Sequence, residues 1–104
     1  MFEKGNKGKL GRITAIYLII STKYAFRIGD LIAFDREKVR EELRITERQE
    51  RNYLRYLEKE GYLKCIPRKV EGRIHVPYAY TEKSLSFFRE IRDALTKVVE
   101  EVDA

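Results

Sequence analysis

Arg48, Arg51, Asn52, Arg55 and Lys59 are the side chains whose types and spacing could best do chemistry in this sequence. At about 100° per residue they gather on one side of a helix predicted from Glu47 to Glu60, while Tyr53, Leu54 and Leu57 gather on the other. The chemistry of such a row is binding: guanidinium and ammonium groups attract a polyanion, and an amide set among them can both donate and accept. Thr46 and Gln49 have the spacing of a capping box, and Gly61 is the residue type favoured just past a helix end. Upstream, Asp35 is the expected N-cap of a helix over Arg36 to Leu43 with Val39 and Leu43 inward, which leaves a three-residue turn between the two helices. The competing reading is a solvated surface held by i,i+4 ion pairs such as Glu47 with Arg51. Residues 35–60 carry eight basic and eight acidic side chains, so arrangement and not total charge makes the signal.

Other chemistry finds few residues. One histidine, His75, and one cysteine, Cys65, stand without neighbours that would complete a zinc set or a nucleophile with its base. Gly5 to Gly11 (GNKGKLG) has glycines near a helix start but neither a preceding strand nor the spacing of a phosphate loop. The carboxylates alternate with cations, as on a solvated helix. No enzyme, metal or cofactor is expected.

The 104 residues, 43% hydrophobic, suffice for one modest core. A net charge of +5 favours a polyanionic partner, and its excess lies in residues 1–12 and 62–77, each contributing +3. The lone cysteine fits a reducing compartment. The longest apolar run, Ala15 to Ile20, is far short of a membrane span, and Met1 to Gly11 lacks the apolar stretch of a secretion signal. A soluble, cytoplasmic protein with no membrane partner is expected.

The elements that must position the cationic row follow from periodicity. Residues 1–9 form a basic arm with little to bury. Leu10 to about Tyr24 carries Leu10, Ile13, Ile16, Tyr17 and Ile20 at helical spacing, broadened by Ala15, Leu18 and Ile19, and is expected to be the central buried helix. Phe26 to Ile32 alternates less clearly and is expected to be a loop or short strand. Tyr62 to Pro67 and Arg73 to Tyr80 are predicted strands flanking a hairpin tip over Arg68 to Gly72, and Pro67 and Pro77 imply ragged or edge strands. A final helix is predicted from near Thr81 to Val102. Its apolar seam, Leu85, Phe88, Ile91, Leu95, Val98 and Val102, is longer than a small domain needs for itself and is expected to form a homodimer interface. The alternative is that this helix folds back onto Leu10 to Ile20.

This order, helix, short strand, helix, turn, helix, hairpin, long helix, resembles a winged helix-turn-helix domain, an α+β class that is mainly α with a small β-hairpin wing. Tyr53 to Leu63 (YLRYLEKEGYL) resembles the recognition helix and exit of many small bacterial and archaeal regulators, and Tyr80 to Lys83 (YTEK) their hinge into a last helix. The resemblance is to the broad superfamily, including regulators of the PadR and MarR kinds and small archaeal or archaeal-virus DNA-binding proteins. It implies one domain: an arm (1–9), a winged core (10–80) and a dimerisation helix (81–104). Two positions depart from the pattern: Ser84 stands where a glycine is frequent, and Glu50 near the apolar side of the recognition helix, where a small hydrophobe is usual.

The resemblance further implies double-stranded DNA as partner, with the Glu47 to Glu60 helix in the major groove. Arg48, Gln49 and Asn52 are then the candidates for base readout, since arginine matches guanine O6 and N7, and Asn or Gln matches adenine N6 and N7. Arg51, Arg55 and Lys59 are candidates for phosphates, with Arg68, Lys69 and Arg73 on the wing and Lys7, Lys9 and Arg12 in the arm. Three functions stay open at this level: a sequence-specific homodimeric transcription regulator, a non-specific architectural DNA-binding protein, and a winged-helix protein-interaction module.

Overall fold

The computed structural model of the chain describes residues 10–66, 68–70, 73–75 and 77–104; the arm and the side chains of 68–70 and 73–75 lie outside that description. The order is α1 (Arg12–Ser21), a 3-10 turn (Thr22–Tyr24), β1 (Ala25–Ile28), β2 (Leu31–Phe34), α2 (Arg36–Leu43), α3 (Glu47–Lys59), β3 (Leu63–Cys65), β4 (Arg68–Val70), β5 (Arg73–His75), β6 (Tyr78–Tyr80) and α4 (Glu82–Asp103). The architecture is α+β, mainly helical with a small antiparallel sheet of order β1-β2-β6-β3, and β4 and β5 pair separately. Among the described residues no helix is long and apolar enough to cross a membrane.

The caps act as expected. Asp35 accepts from the N–H groups of Glu37 and Lys38 and opens α2. Thr46 Oγ1 accepts from Gln49 N–H at 3.1 Å while Gln49 Oε1 accepts from Thr46 N–H at 2.8 Å, closing a reciprocal capping box on α3. Gly61 follows α3 with φ +86°, a conformation that suits a residue without Cβ.

Where a loop or short strand was expected, Phe26 to Ile32 lies in a full hairpin, with Ala25 opposite Phe34 and Ile28 opposite Leu31 around Gly29 at φ +59°. Its alternation is weak because β1 is an edge strand whose first three residues are exposed; β2 carries the inward pattern. The prolines were expected to mark ragged or edge strands. The strands are ragged, each arm of the second hairpin being divided in two, but β6, starting just after Pro77, is an interior strand between β2 and β3, and Pro67 lies outside the described residues. Pro77 needs no ladder donor there, and its carbonyl accepts from Ile66 N–H at 2.9 Å.

The core lies between the sheet and the three shorter helices. Tyr17 and Leu18 from α1, Val39 from α2, Leu54 and Leu57 from α3, and Phe34, Leu63 and Tyr80 from the sheet are all buried. Phe34 stacks on Tyr80 with ring centroids 5.3 Å apart, while Tyr17 and Phe88 meet these rings edge-on. The expectation that α1 is the central buried helix is met on its inner side only: Ile13, Ile16 and Ile19 on its outer side are 57%, 44% and 41% exposed. Nor does α4 fold back to cover them, since Leu95, Val98, Val99 and Val102 are also exposed.

Glu50 is 0% exposed, and its carboxylate ties three helices together. Oε2 accepts from the Tyr17 hydroxyl at 2.6 Å, and Oε1 accepts from Arg40 at 2.8 Å and Arg36 at 3.3 Å. Removing one member of a buried charge cluster leaves the others unpaired, so Glu50→Ala should lower the free energy of unfolding by about 3 kcal/mol, measured by denaturant titration. Tyr17→Phe, which leaves both arginines paired, should lower it by about half as much.

Burial raises the ionisation of two core phenols, Tyr80 to about 12 and Tyr17 further, where the hydrogen bond to Glu50 adds to the effect. An unfolded tyrosine ionises near pH ~10. Stability from these groups is therefore complete below about pH 10 and is lost as pH rises through about 12. Thermal unfolding followed into alkali should show Tm falling above about pH 10, and less steeply for Tyr80→Phe.

Candidate nucleic-acid interface

The site is built outward from the buried side of α3. Glu50, Leu54 and Leu57 point inward, with Tyr53 partly buried beside them, so the opposite side of the helix must face solvent. Arg48, Arg51, Asn52, Arg55 and Lys59 are all exposed there. The i,i+4 pairs that would neutralise the row are not formed: among the described residues, no carboxylate lies within ion-pair distance of Arg48, Arg51, Arg55 or Lys59. Among the described residues the row is thus a set of cations without ion pairs, with one amide among them.

Gln49 is exposed but not free. Its carbonyl oxygen serves the capping box, which leaves its NH2 group to donate outward. Of the three predicted base readers it is therefore the least able to present the donor and acceptor together that adenine requires. Arg36 and Arg40 are nearby cations held inward by Glu50, and Arg36 also lies over the Tyr78 ring, 5.5 Å from its centroid.

Arg12 begins α1 and lines a shallow depression with Tyr56 of α3, so this cation stands beside the flank of the cationic helix. Lys7 and Lys9 fall outside the described residues. Arg68, Lys69 and Arg73 lie on the β4–β5 pair, where Arg68 is opposite His75 and Val70 opposite Arg73; their side chains also fall outside the description.

The seam of α4 is divided by the fold. Leu85 and Phe88, expected in the interface seam, pack against the chain's own core, and Ile91 is half-buried. Leu95, Val98 and Val102 are exposed at 60%, 59% and 76%. Between this part of α4 and the end of α1 runs a groove of about 590 Å³ whose lining includes Ile19, Ile91, Leu95 and Val99.

The start of α4 is fastened to the exit of α3. Carbonyls of Glu60, Gly61 and Tyr62 accept from Lys83 Nζ at 2.7 Å, Thr81 Oγ1 at 2.5 Å and Ser84 Oγ, respectively. The departure at Ser84 has its reason here: the residue is fully buried, and its hydroxyl satisfies a backbone carbonyl that glycine would leave to others. Cys65 is half-buried, and burial pushes its thiol up, away from the reactive thiolate.

No protein-family model, curated protein or solved structure matches the chain.

Sequence reasoning passed over Arg44. It caps α2 at the turn before α3, is exposed, and holds the left-handed conformation, φ +55° and ψ +44°, that favours glycine or asparagine. A cation at this position stands at the same end of α3 as Arg48, and the only hint in the sequence was the absence of glycine from a tight turn. Arg44→Gly should raise stability by up to about 1 kcal/mol in denaturant titration while weakening binding to a polyanion such as heparin. Unchanged heparin retention would remove Arg44 from the interface.

Proposed function

We propose that this chain is a winged helix-turn-helix regulator of transcription that binds double-stranded DNA as a homodimer in the cytoplasm. The reading rests chiefly on the unneutralised row of Arg48, Arg51, Asn52, Arg55 and Lys59 on the outer side of a helix that is capped, buried on its other side and preceded by a three-residue turn. In this reading α3 enters the major groove, and β4–β5 is the wing on flanking DNA. Arg48 and Asn52 read base edges, with Gln49 reduced to a donor. Arg51, Arg55, Lys59 and Arg12 meet phosphates, joined by Arg68, Lys69 and Arg73 of the wing and Lys7 and Lys9 of the arm. The exposed half of α4 joins two copies, so that two α3 helices reach half-sites about one helical turn apart. No bond is made or broken, and no cofactor takes part.

One observation favours a second reading, an architectural DNA-binding protein without base preference. With the Gln49 carbonyl held in the cap, the side chains free to read bases are few beside the cations available for phosphates.

Selection from randomised duplexes at near-physiological salt separates the two. A regulator should enrich an inverted repeat; duplex retained without enrichment would establish the architectural reading, and almost no retention would reject both. On the enriched site, Arg48→Ala or Asn52→Ala should reduce discrimination by about 1–3 kcal/mol. Arg68→Ala or Lys69→Ala should weaken all sequences alike and flatten the salt slope by about one unit. Equal losses on matched and scrambled duplexes for Arg48→Ala would remove it from the reading group.

A further inference from the structure

In α1, RITAIYLIIS, the inner residues Thr14, Tyr17, Leu18 and Ser21 are buried, while three isoleucines, Ile13, Ile16 and Ile19, face out. Contiguous exposed apolar side chains of this kind mark a surface that another surface covers. The bare side of α1 is continuous, through the groove at Ile19, with the bare side of α4 at Leu95 and Val99. With Val98 and Val102, these side chains expose on the order of 700 Å² of apolar surface, more than the roughly 300–600 Å² of the largest patch on an ordinary monomer. That is close to the roughly 800 Å² per partner of a standard interface.

We infer that a second copy of this chain covers the outer side of α1 as well as α4, with its own α4 lying antiparallel in the α1–α4 groove. The inference rests on the homodimer reading above and adds to it the isoleucine side of α1 and the direction of the helices. Direction follows from charge. Residues 82–92 of α4 carry Lys83, Arg89 and Arg92 against Glu82 and Glu90, whereas residues 93–103 carry Asp93, Glu100, Glu101 and Asp103 against Lys97, so the acidic excess lies at the end of the helix. Parallel pairing would stack the acidic ends on each other. Antiparallel pairing sets each acidic end against the partner's Arg89 and Arg92 and opposes the two helix dipoles favourably. Arg92 and Glu100 both line the groove, so a crossing near Leu95 and Thr96 brings Arg92 to the partner's Glu100 twice in a two-fold dimer. Among the described residues of one chain Arg92 has only an exposed contact with its neighbour Asp93, at 3.2 Å, which is easily exchanged.

The test is sedimentation equilibrium on the full chain, with circular dichroism to confirm folding. Wild type should be a dimer at tens of micromolar. Ile16→Glu and, as a milder change, Ile16→Ser alter only an exposed position of α1 and should weaken the dimer, the Glu variant by at least about tenfold. Val98→Glu should do the same from α4. Arg92→Glu and Glu100→Arg should each weaken association, and the double variant should restore it. A dimer broken by Val98→Glu but indifferent to Ile16→Glu would overturn the part assigned to α1 and leave the α4 dimer standing. Failure of the double variant to restore association would overturn the antiparallel arrangement. A monomeric wild type would overturn the dimer altogether, while the duplex selection decides DNA binding separately.

Discussion

The structure depends on a carboxylate that water does not reach. Glu50 sits on the buried side of α3 at a position where an alkyl group would be the simpler choice, and its burial is tolerable only because Tyr17, Arg36 and Arg40 converge on it. These partners come from α1 and α2, so the cluster does more than neutralise a charge. It requires the three helices to meet in one arrangement, because a shift of any one leaves a buried charge or donor without its partner. Hydrophobic packing among Leu54, Leu57, Tyr17 and Val39 is less directional and would accept small rotations of α3. The carboxylate removes that freedom.

The remaining constraints on α3 act at its ends. Its start is closed by the Thr46 and Gln49 capping box, and its exit is held by Lys83, Thr81 and Ser84 on three successive carbonyls. Lys83 also lies 4.5 Å from the centroid of the Tyr62 ring, so this exposed lysine is an anchor of the α3–α4 junction. A helix fixed at both ends and in its middle presents its outer side in a set orientation, and α4 leaves the body in a direction set by the same junction. Recognition of any rigid lattice of charges, DNA included, needs that orientation fixed before binding, since ordering it on contact would reduce affinity.

Much of this was legible in the sequence where a local rule governs a local structure. The caps at Asp35 and Thr46, the bounds of α2 and α3, and the start of α4 each depend on a few neighbouring residues. The outward row on α3 was equally legible, since periodicity alone places Arg48, Arg51, Asn52, Arg55 and Lys59 together. What was not legible depends on distant partners. Glu50 was visible as an anomaly, but its partners are separated from it by 33, 14 and 10 residues. The β1–β2 hairpin was obscured because an edge strand need not alternate. Pro77 suggested a ragged or edge strand, and the interior place of β6 was hidden because the sequence does not show that the strand begins just beyond the proline. For α1, periodicity gave the right apolar residues but not their degree of cover, because the pattern does not say which of them the rest of the chain packs against.

The net charge of residues 35–60 is zero, and yet this segment presents a positive face; the reason lies in where its acids are held. Glu50 is drawn inside with Arg36 and Arg40. Glu42 is held by Lys23 at 2.9 Å and by the Tyr24 hydroxyl, and these bonds hold its carboxyl below the usual range. Asp35 is turned to the N–H groups of α2. Each acid so engaged is unavailable to the outer side of α3, where four cations remain without ion pairs among the described residues. The sorting is therefore a product of folding. An unfolded chain with this composition averages its charges along the segment, whereas the fold holds three of its acids in the interior, at a cap and on the α1–α2 side, leaves Glu37, Glu41, Glu47 and Glu58 exposed without ion pairs among the described residues, and sets the cations of α3 in register on one surface. The buried carboxylate thus contributes to that surface without being part of it, by fixing the orientation of the helix that carries the row.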